Sequence, residues 1–384
     1  MRVLIAAARV GSLPARGALD AFAAGWRSGN PDALLDLAVC SSGAHDLLDA
    51  VEAVHGGSRE VETVVAADGE HEHPVVVLLV AGTAYVQAGD VLDPPLARAT
   101  TSWTGTSYGV GQIVARAADA GVRRVVVGAG DAATLDLGAG LLAALADAPP
   151  GPFDPATALD RLPAWLTTAR ARLRATELVL AAGTAASVRG LRGAAAALRE
   201  RVGAAESQAL DARLAPLAAG LEAQRVSRHD LLGAGGSLAA GGTGAPGAPG
   251  APGAPGSATS STAGTAGTGS GGGLGAAVLA LGGRVVPGAA FVAAETGVPA
   301  RAREAELAVV LADRVDPVEA DTGVLGAVAA AAARDGVALL ALGRTGVLSR
   351  RGAAPFGISA TGHVEGTAEG LTVAGRKHAA AWRW

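Results

Sequence analysis

The chain has 384 residues, half of them apolar, and a formal net charge of −4. That length suits two or three domains at roughly 100–200 residues each, and with aromatics at only 3% the core has to be built from Ala, Val and Leu. The near-neutral balance argues against a nucleic-acid or anionic-membrane partner, each of which calls for basic patches, and Cys40 as the single cysteine excludes an intrachain disulfide.

The apolar run Arg2–Ala8, closed by Gly11, predicts a buried parallel strand rather than a secretory signal. Leu19, Phe22, Ala23 and Trp26 then recur at helical spacing, and Gly29-Asn30-Pro31 ends that helix. Leu34–Cys40 is a second strand. A helix follows Ser42-Gly43, runs to about Val54 and stops at Gly56-Gly57. This β-α-β-α order is the signature of an open parallel sheet. The pattern changes after Ser58. Arg59–Ala67 and Pro74–Val80 flank a polar turn at residues 68–73, which predicts an antiparallel hairpin and the start of a second domain. His71 and His73, with Glu70 and Glu72, are read as the solvated tip of that hairpin in preference to a metal site.

Gly109–Ala120 is helical, Arg123–Val127 a strand, and Leu137–Asp147 a helix. A further helix spans 156–174, a strand Leu178–Ala182, and a long Ala-rich helical region 194–225. Gly233–Gly273, with its GAPGAPGAPGAPG run, is low-complexity and reads as a linker. Leu307–Leu311, Thr322–Arg334 and Val337–Leu342 restore β-α-β. The apolar stretch Val324–Leu342 is broken by Arg334, Asp335 and Gly336, so it reads as helix, turn and strand rather than a membrane span. The tail from Gly343 is expected to be partly disordered, and the chain is expected in the cytoplasm. The fold class is therefore α/β. A Rossmann-like parallel α/β/α domain (residues 1–58 and 276–384) holds an inserted mixed α/β domain (59–232), and 233–275 is the linker.

Four loops could carry chemistry. In Val125–Gly140 a strand empties into Gly128-Ala129-Gly130 before a helix, so backbone amides could hold a phosphate or carboxylate. The spacing is neither the dinucleotide fingerprint nor a Walker loop. The alternative is a tight turn with Asp136 as an N-cap. Thr104–Gln112 offers Thr106, Ser107 and Tyr108 to a hydroxylated ligand, or a plain N-cap. Gly271–Gly275 precedes an apolar helix and otherwise ends the linker. Asp313–Asp316 follows a strand, where parallel α/β folds bind ligands; Arg314 and Asp316 either contact a ligand or form a solvated pair. The only lysine is Lys377, so no internal loop has one.

In order, the segments Ile5–Leu13, Thr106–Val114, Gly128–Gly140, Gly272–Gly288 and Ala305–Asp316 resemble the bacterial glycerate kinase family of the two-domain α/β type. The resemblance implies ATP- and Mg²⁺-dependent phosphorylation of D-glycerate, a small-molecule substrate, and no nucleic-acid or membrane partner. It implies Asp136 and Asp316 as catalytic residues, for metal or substrate hydroxyl. It implies Ser107, Tyr108, Gly109, Gly128, Gly130, Thr134 and Arg314 for substrate and phosphate; the metal ligands stay unassigned. This chain departs from the family at charged positions. Ala8, Arg9 and Val10 stand where the family carries Asp and Lys. Ser41 and Ala44 replace acids, Ala312 a glutamate and Thr322 a lysine, and Asp131-Ala132 follows Gly130 in the third motif. The expectation is a divergent kinase of weakened or lost activity, or a pseudoenzyme that serves as a binding module.

Overall fold

The computed structural model describes residues 1–92, 105–225 and 265–382. β1 (Arg2–Ala7) and β2 (Leu34–Val39) open a first sheet. β3 (Ser58–Val65), β4 (Glu72–Val80), β5 (Thr83–Gln87), β6 (Arg124–Ala129), β7 (Glu177–Ala182) and β8 (Arg284–Pro287) form a second. β9 (Leu307–Arg314), β10 (Ala338–Thr345) and β11 (Ala360–His363) return to the first. The architecture is the expected two-domain α/β fold, with a parallel sheet made from both chain ends and a mixed sheet inserted between them.

The first sheet has the order β11-β10-β9-β1-β2 and is parallel throughout. Helices cover both faces, which is why its strands read as unbroken apolar runs. Val3 and Ile5 share a core with Phe22 and Trp26 of the helix Ala15–Gly29. Leu4 and Ala6 face the other way, into a core with Val328 of the helix Val324–Arg334. The second sheet, β3-β4-β5-β6-β7-β8, is antiparallel up to β5 and parallel from there to β8. The helices Leu47–His55 and Gly288–Glu295 lie between the sheets. Leu47, Val51, Leu78, Val126, Val179 and Val292 join one apolar cluster there.

Three expectations are corrected. First, the tail is ordered as far as it is described, because the helix Ala368–Ala381 packs along Ala15–Gly29. Glycines permit this crossing. A Cβ at Gly25 would stand 1.9 Å from the Thr372 carbonyl oxygen, and one at Gly29 2.6 Å from that of Arg376. A Cβ at Gly375 would stand 2.2 Å from the Phe22 carbonyl oxygen. Second, β8 pairs with β7, so the inserted sheet runs past residue 276 to Pro287. Third, residues 265–275 do not behave as linker: the helix Ser270–Ala280 begins among them, with Gly271, Gly272 and Gly273 buried. Most of the low-complexity run, including every GAP repeat, lies outside the described residues. β5 was not anticipated from the sequence at all. Among the described residues no helix is long and apolar enough to cross a membrane.

Candidate functional site

From β1 the chain crosses to β2 on one side of the first sheet, while β9, β10 and β11 build out the other side. Loops leaving the carboxyl ends of β1 and β9 therefore diverge, and open parallel sheets bind ligands in the crevice this creates. A cavity of ≈ 170 Å³ occupies that crevice. Ala8 and Arg9 line it from the loop after β1, Cys40–Ser42 with His45 and Asp46 from the loop after β2, and Ala312–Arg314 from the end of β9. Glu319 and Val324 close it.

Its charged side chains are mostly held by partners. The Arg9 guanidinium donates to Asp46 Oδ1 at 3.2 Å. Asp46 is buried and takes a left-handed backbone conformation, φ 57°, at the head of the helix Leu47–His55. Asp313 accepts from both Nε and an Nη of Arg344, at 2.7 and 3.0 Å, and from the Gly11 amide at 2.7 Å. The Arg344 guanidinium, helped by the Gly11 amide and opposed by partial burial, holds the Asp313 carboxyl below its ordinary value. Arg314 pairs with Asp316. Asp316 also caps the helix Pro317–Thr322 by accepting from the Glu319 amide at 2.9 Å. Partial burial raises the Asp316 carboxyl, but that amide and Arg314 outweigh it and the net shift is downward. Glu319 accepts from the Leu325 amide at 3.2 Å, and burial pushes its carboxyl up.

The neutral groups are quiet. Burial pushes the Cys40 thiol up to about 12, so it stays protonated and is a poor nucleophile. The Ser41 hydroxyl donates to the His45 carbonyl and accepts from the Gly43 amide at 2.9 Å. Both bonds are to backbone groups of its own loop, so it shapes the loop.

The Gly-rich loops of the inserted domain are knit together, and most of their predicted site residues are buried. Asp136 is fully buried and accepts four hydrogen bonds: the Ser107 amide at 2.7 Å, the Ser107 hydroxyl at 2.8 Å, and the Gly138 and Gly140 amides at 2.9 and 3.0 Å. Burial raises its carboxyl and these donors oppose the rise. Ser107 Oγ in turn accepts from the Leu141 amide at 3.0 Å. Thr134 is buried and donates to the Leu92 carbonyl at 3.1 Å, and Tyr108 donates to the Ala148 carbonyl at 2.7 Å. Gly109 and Gly128 are packing glycines. A Cβ on them would stand 2.2 Å from the Val65 carbonyl oxygen and 2.0 Å from that of Gly43. Gly271–Gly273 belongs to the same structure: the Gly271 amide donates to the Gly130 carbonyl at 2.7 Å, and the Leu137 amide to that of Gly272 at 3.1 Å.

Of the predicted site residues, therefore, Arg314 alone lines the cavity, with Asp316 as its partner. Ser107, Tyr108, Thr134 and Asp136 form an interior network of the inserted domain. Arg9, Asp46 and Glu319 line the cavity and were not singled out as site residues. Their common signal was position, just after β1, β2 and β9. The two regions meet at the loop after β2. A Cβ on Gly130 or Gly183 would stand 2.8 or 2.9 Å from Ala44 Cβ, and one on Gly43 would stand 2.9 Å from the Ala181 carbonyl oxygen.

The chain is similar to known proteins. The family model described as the glycerate kinase family matches residues 3–254. Uncharacterized proteins of Mycobacterium bovis and Mycobacterium tuberculosis are each 28% identical over 341 residues, covering 86% of this chain and 76% of the relative. A crystal structure from Salmonella typhimurium LT2, assigned provisionally as glycerate kinase 2, is similar with a TM-score of 0.69. It is 21% identical, and the match covers 99% of this chain and 98% of that one.

Proposed function

The chain belongs to the glycerate kinase family, and from that premise we propose that it binds a small hydroxy acid such as D-glycerate and phosphorylates it slowly with ATP and Mg²⁺. The observation that carries this reading is the cavity at the divergence of β1 and β9, which has Arg9 and Arg314 in its wall. Guanidinium groups suit carboxylate and phosphate oxygens because their fork of donors matches them. Phosphoryl transfer asks chiefly for positioned phosphates, charge neutralisation and an oriented hydroxyl.

The donor set fits the nucleotide and its metal in outline. Among the described residues no group of three His, Cys, Asp or Glu could cage a metal ion. Mg²⁺ needs no such cage, since it commonly takes one or two carboxylates and fills its shell with water and phosphate oxygens. Asp313 and Glu319 line the cavity directly, and Asp316 adjoins its wall through the pair with Arg314. Mg²⁺ would neutralise phosphate charge when bound. Arg9 and Arg314 would hold the anionic groups, and the buried Asp46 keeps Arg9 in place. A supply of ATP puts the reaction in the cytoplasm.

Slow turnover follows from chemistry this chain lacks. Losing one electrostatic contributor costs on the order of 10²–10³ in rate, and Ala8, Ala44 and Ala312 stand where the family carries charge. A second reading, a binding module without turnover, is favoured by Asp136, whose carboxylate is spent on four donors of its own domain. The purified protein, assayed with Mg-ATP and D-glycerate and titrated with each by calorimetry, separates the two. Phosphoglycerate formation supports the kinase. Binding without turnover leaves the binding module. Failure to bind either ligand sinks both.

A further inference from the structure

Asp131 differs from the other acids described so far. It follows β6 directly. On one side the Gly130 carbonyl accepts from the Gly271 amide at 2.7 Å. On the other, Gly130 lies so close to Ala44 that a Cβ would stand 2.8 Å from the Ala44 Cβ. The backbone that presents Asp131 is thus clamped against the loop whose Ser42 and His45 line the cavity. Asp46, Asp136, Asp313 and Asp316 each spend their oxygens on an arginine, an amide or a hydroxyl. Asp131 has no hydrogen bond or ion pair among the described residues.

The Asp131 side chain is open to solvent, yet the protein around it is dense enough for desolvation to push its carboxyl up. Burial is the sole cause, with no charged neighbour contributing. Of the elements packed here, the loop after β2 carries His45 and Asp46, the latter tied to Arg9, and the segment at Gly271 carries no titratable group. Past Gly183, Arg189 is paired with Asp211.

We infer that Asp131 is the proton acceptor for the substrate hydroxyl, an inference that rests on the kinase reading above. An Asp131 carboxylate oxygen takes the hydroxyl proton while the hydroxyl oxygen bonds to the terminal phosphorus of the nucleoside triphosphate. The bond from that phosphorus to its bridging oxygen breaks, and the electron pair leaves with the nucleoside diphosphate. The proton passes to solvent once the products depart. A base with a raised pKa is the better acceptor, and a carboxylate without partners is free to reach one.

Asp131→Asn in the full chain tests this. The side chain has no partner to lose, so thermal stability and ATP affinity by calorimetry stay at the wild-type values. Turnover of D-glycerate with Mg-ATP falls on the order of 10²–10³-fold, within the usual range for general-base loss. The wild-type kcat/KM declines as pH falls through the Asp131 pKa, above the ordinary aspartate range, and the variant lacks that limb. In the wild type, the Asp131 side-chain carboxyl ¹³C resonance moves when D-glycerate is added. A variant with wild-type turnover and an intact acid limb, or a resonance indifferent to D-glycerate, overturns the assignment. A wild-type protein that transfers no phosphate overturns the kinase reading itself, and shows this before any substitution is made.

Discussion

Ser107 and Asp136, separated by 29 residues, are joined twice: the Ser107 amide and hydroxyl both donate to one oxygen of the buried Asp136 carboxylate, at 2.7 and 2.8 Å. The pair locks the loop before the helix Tyr108–Asp119 to the turn before the helix Ala139–Leu145. Ser107 completes the connection by accepting from Leu141 at 3.0 Å. Asp136→Ala would leave three buried amides and a hydroxyl without their acceptor. Each unsatisfied buried donor costs about 1–3 kcal/mol, so even with partial relaxation the loss should reach about 3 kcal/mol or more in urea unfolding. A variant as stable as wild type would show that this network is not structural.

Helix contact makes a second, paired prediction. Gly25→Ala puts a methyl 1.9 Å from the Thr372 carbonyl oxygen. The helix Ala368–Ala381 must shift, at about 1–3 kcal/mol for overpacking. Gly17 lies in the same helix with its nearest neighbour 4.0 Å away. Gly17→Ala should stabilise by about 0.5–1 kcal/mol through propensity alone. Opposite signs in thermal unfolding would confirm that the crossing, not the helix, demands glycine.

For ligand binding, Arg9→Gln removes a cavity cation and keeps much of its length. A charge-assisted hydrogen bond contributes about 1.5–3 kcal/mol, so affinity for D-glycerate or for ATP should fall about 10- to 100-fold by calorimetry. Unchanged affinity for both would place the anion elsewhere. Asp46, buried and left without its guanidinium, should lower stability as well. A modest fall in thermal midpoint is therefore expected alongside the binding loss.

Acid sensitivity can be read at Asp313. Arg344, together with the Gly11 amide, lowers the folded-state pKa of this carboxyl from 3.8. A depressed folded pKa contributes stability that is present above the unfolded value and lost as pH falls through the folded one. The stability difference between wild type and Asp313→Asn should be full near neutral pH and shrink below about pH 3.8. A difference that does not change with pH would show that Asp313 acts by packing alone.

Much of the fold was legible. The apolar runs at Arg2–Ala8 and Leu307–Leu311 announced buried parallel strands because both faces of that sheet are covered. The hairpin of β3 and β4 declared itself by its polar turn. β5 did not. Its five residues, Thr83–Gln87, are too few for a period to emerge, and only pairing to β4 and β6 makes them a strand. The tail was misread for a related reason: its Gly and Arg content suggests disorder until Gly25, Gly29 and Gly375 are seen to form one contact. Arg314 and Asp316 are paired, with Arg314 exposed and Asp316 mostly covered.

By itself the sequence determined the α/β class, the two-domain order and the run of Gly-rich turns, since period, length and turn residues are local properties that the chain carries at each position. Tertiary structure alone decided which charges are available. Asp136 and Asp131 lie five positions apart on one turn and look equivalent in the sequence. One is buried and has four donors. The other is exposed and has no hydrogen-bond or ion-pair partner among the described residues, beside Gly130 where it packs on Ala44. Burial and hydrogen-bond partners come from segments distant in the chain, so no local pattern separates a structural carboxylate from a free one.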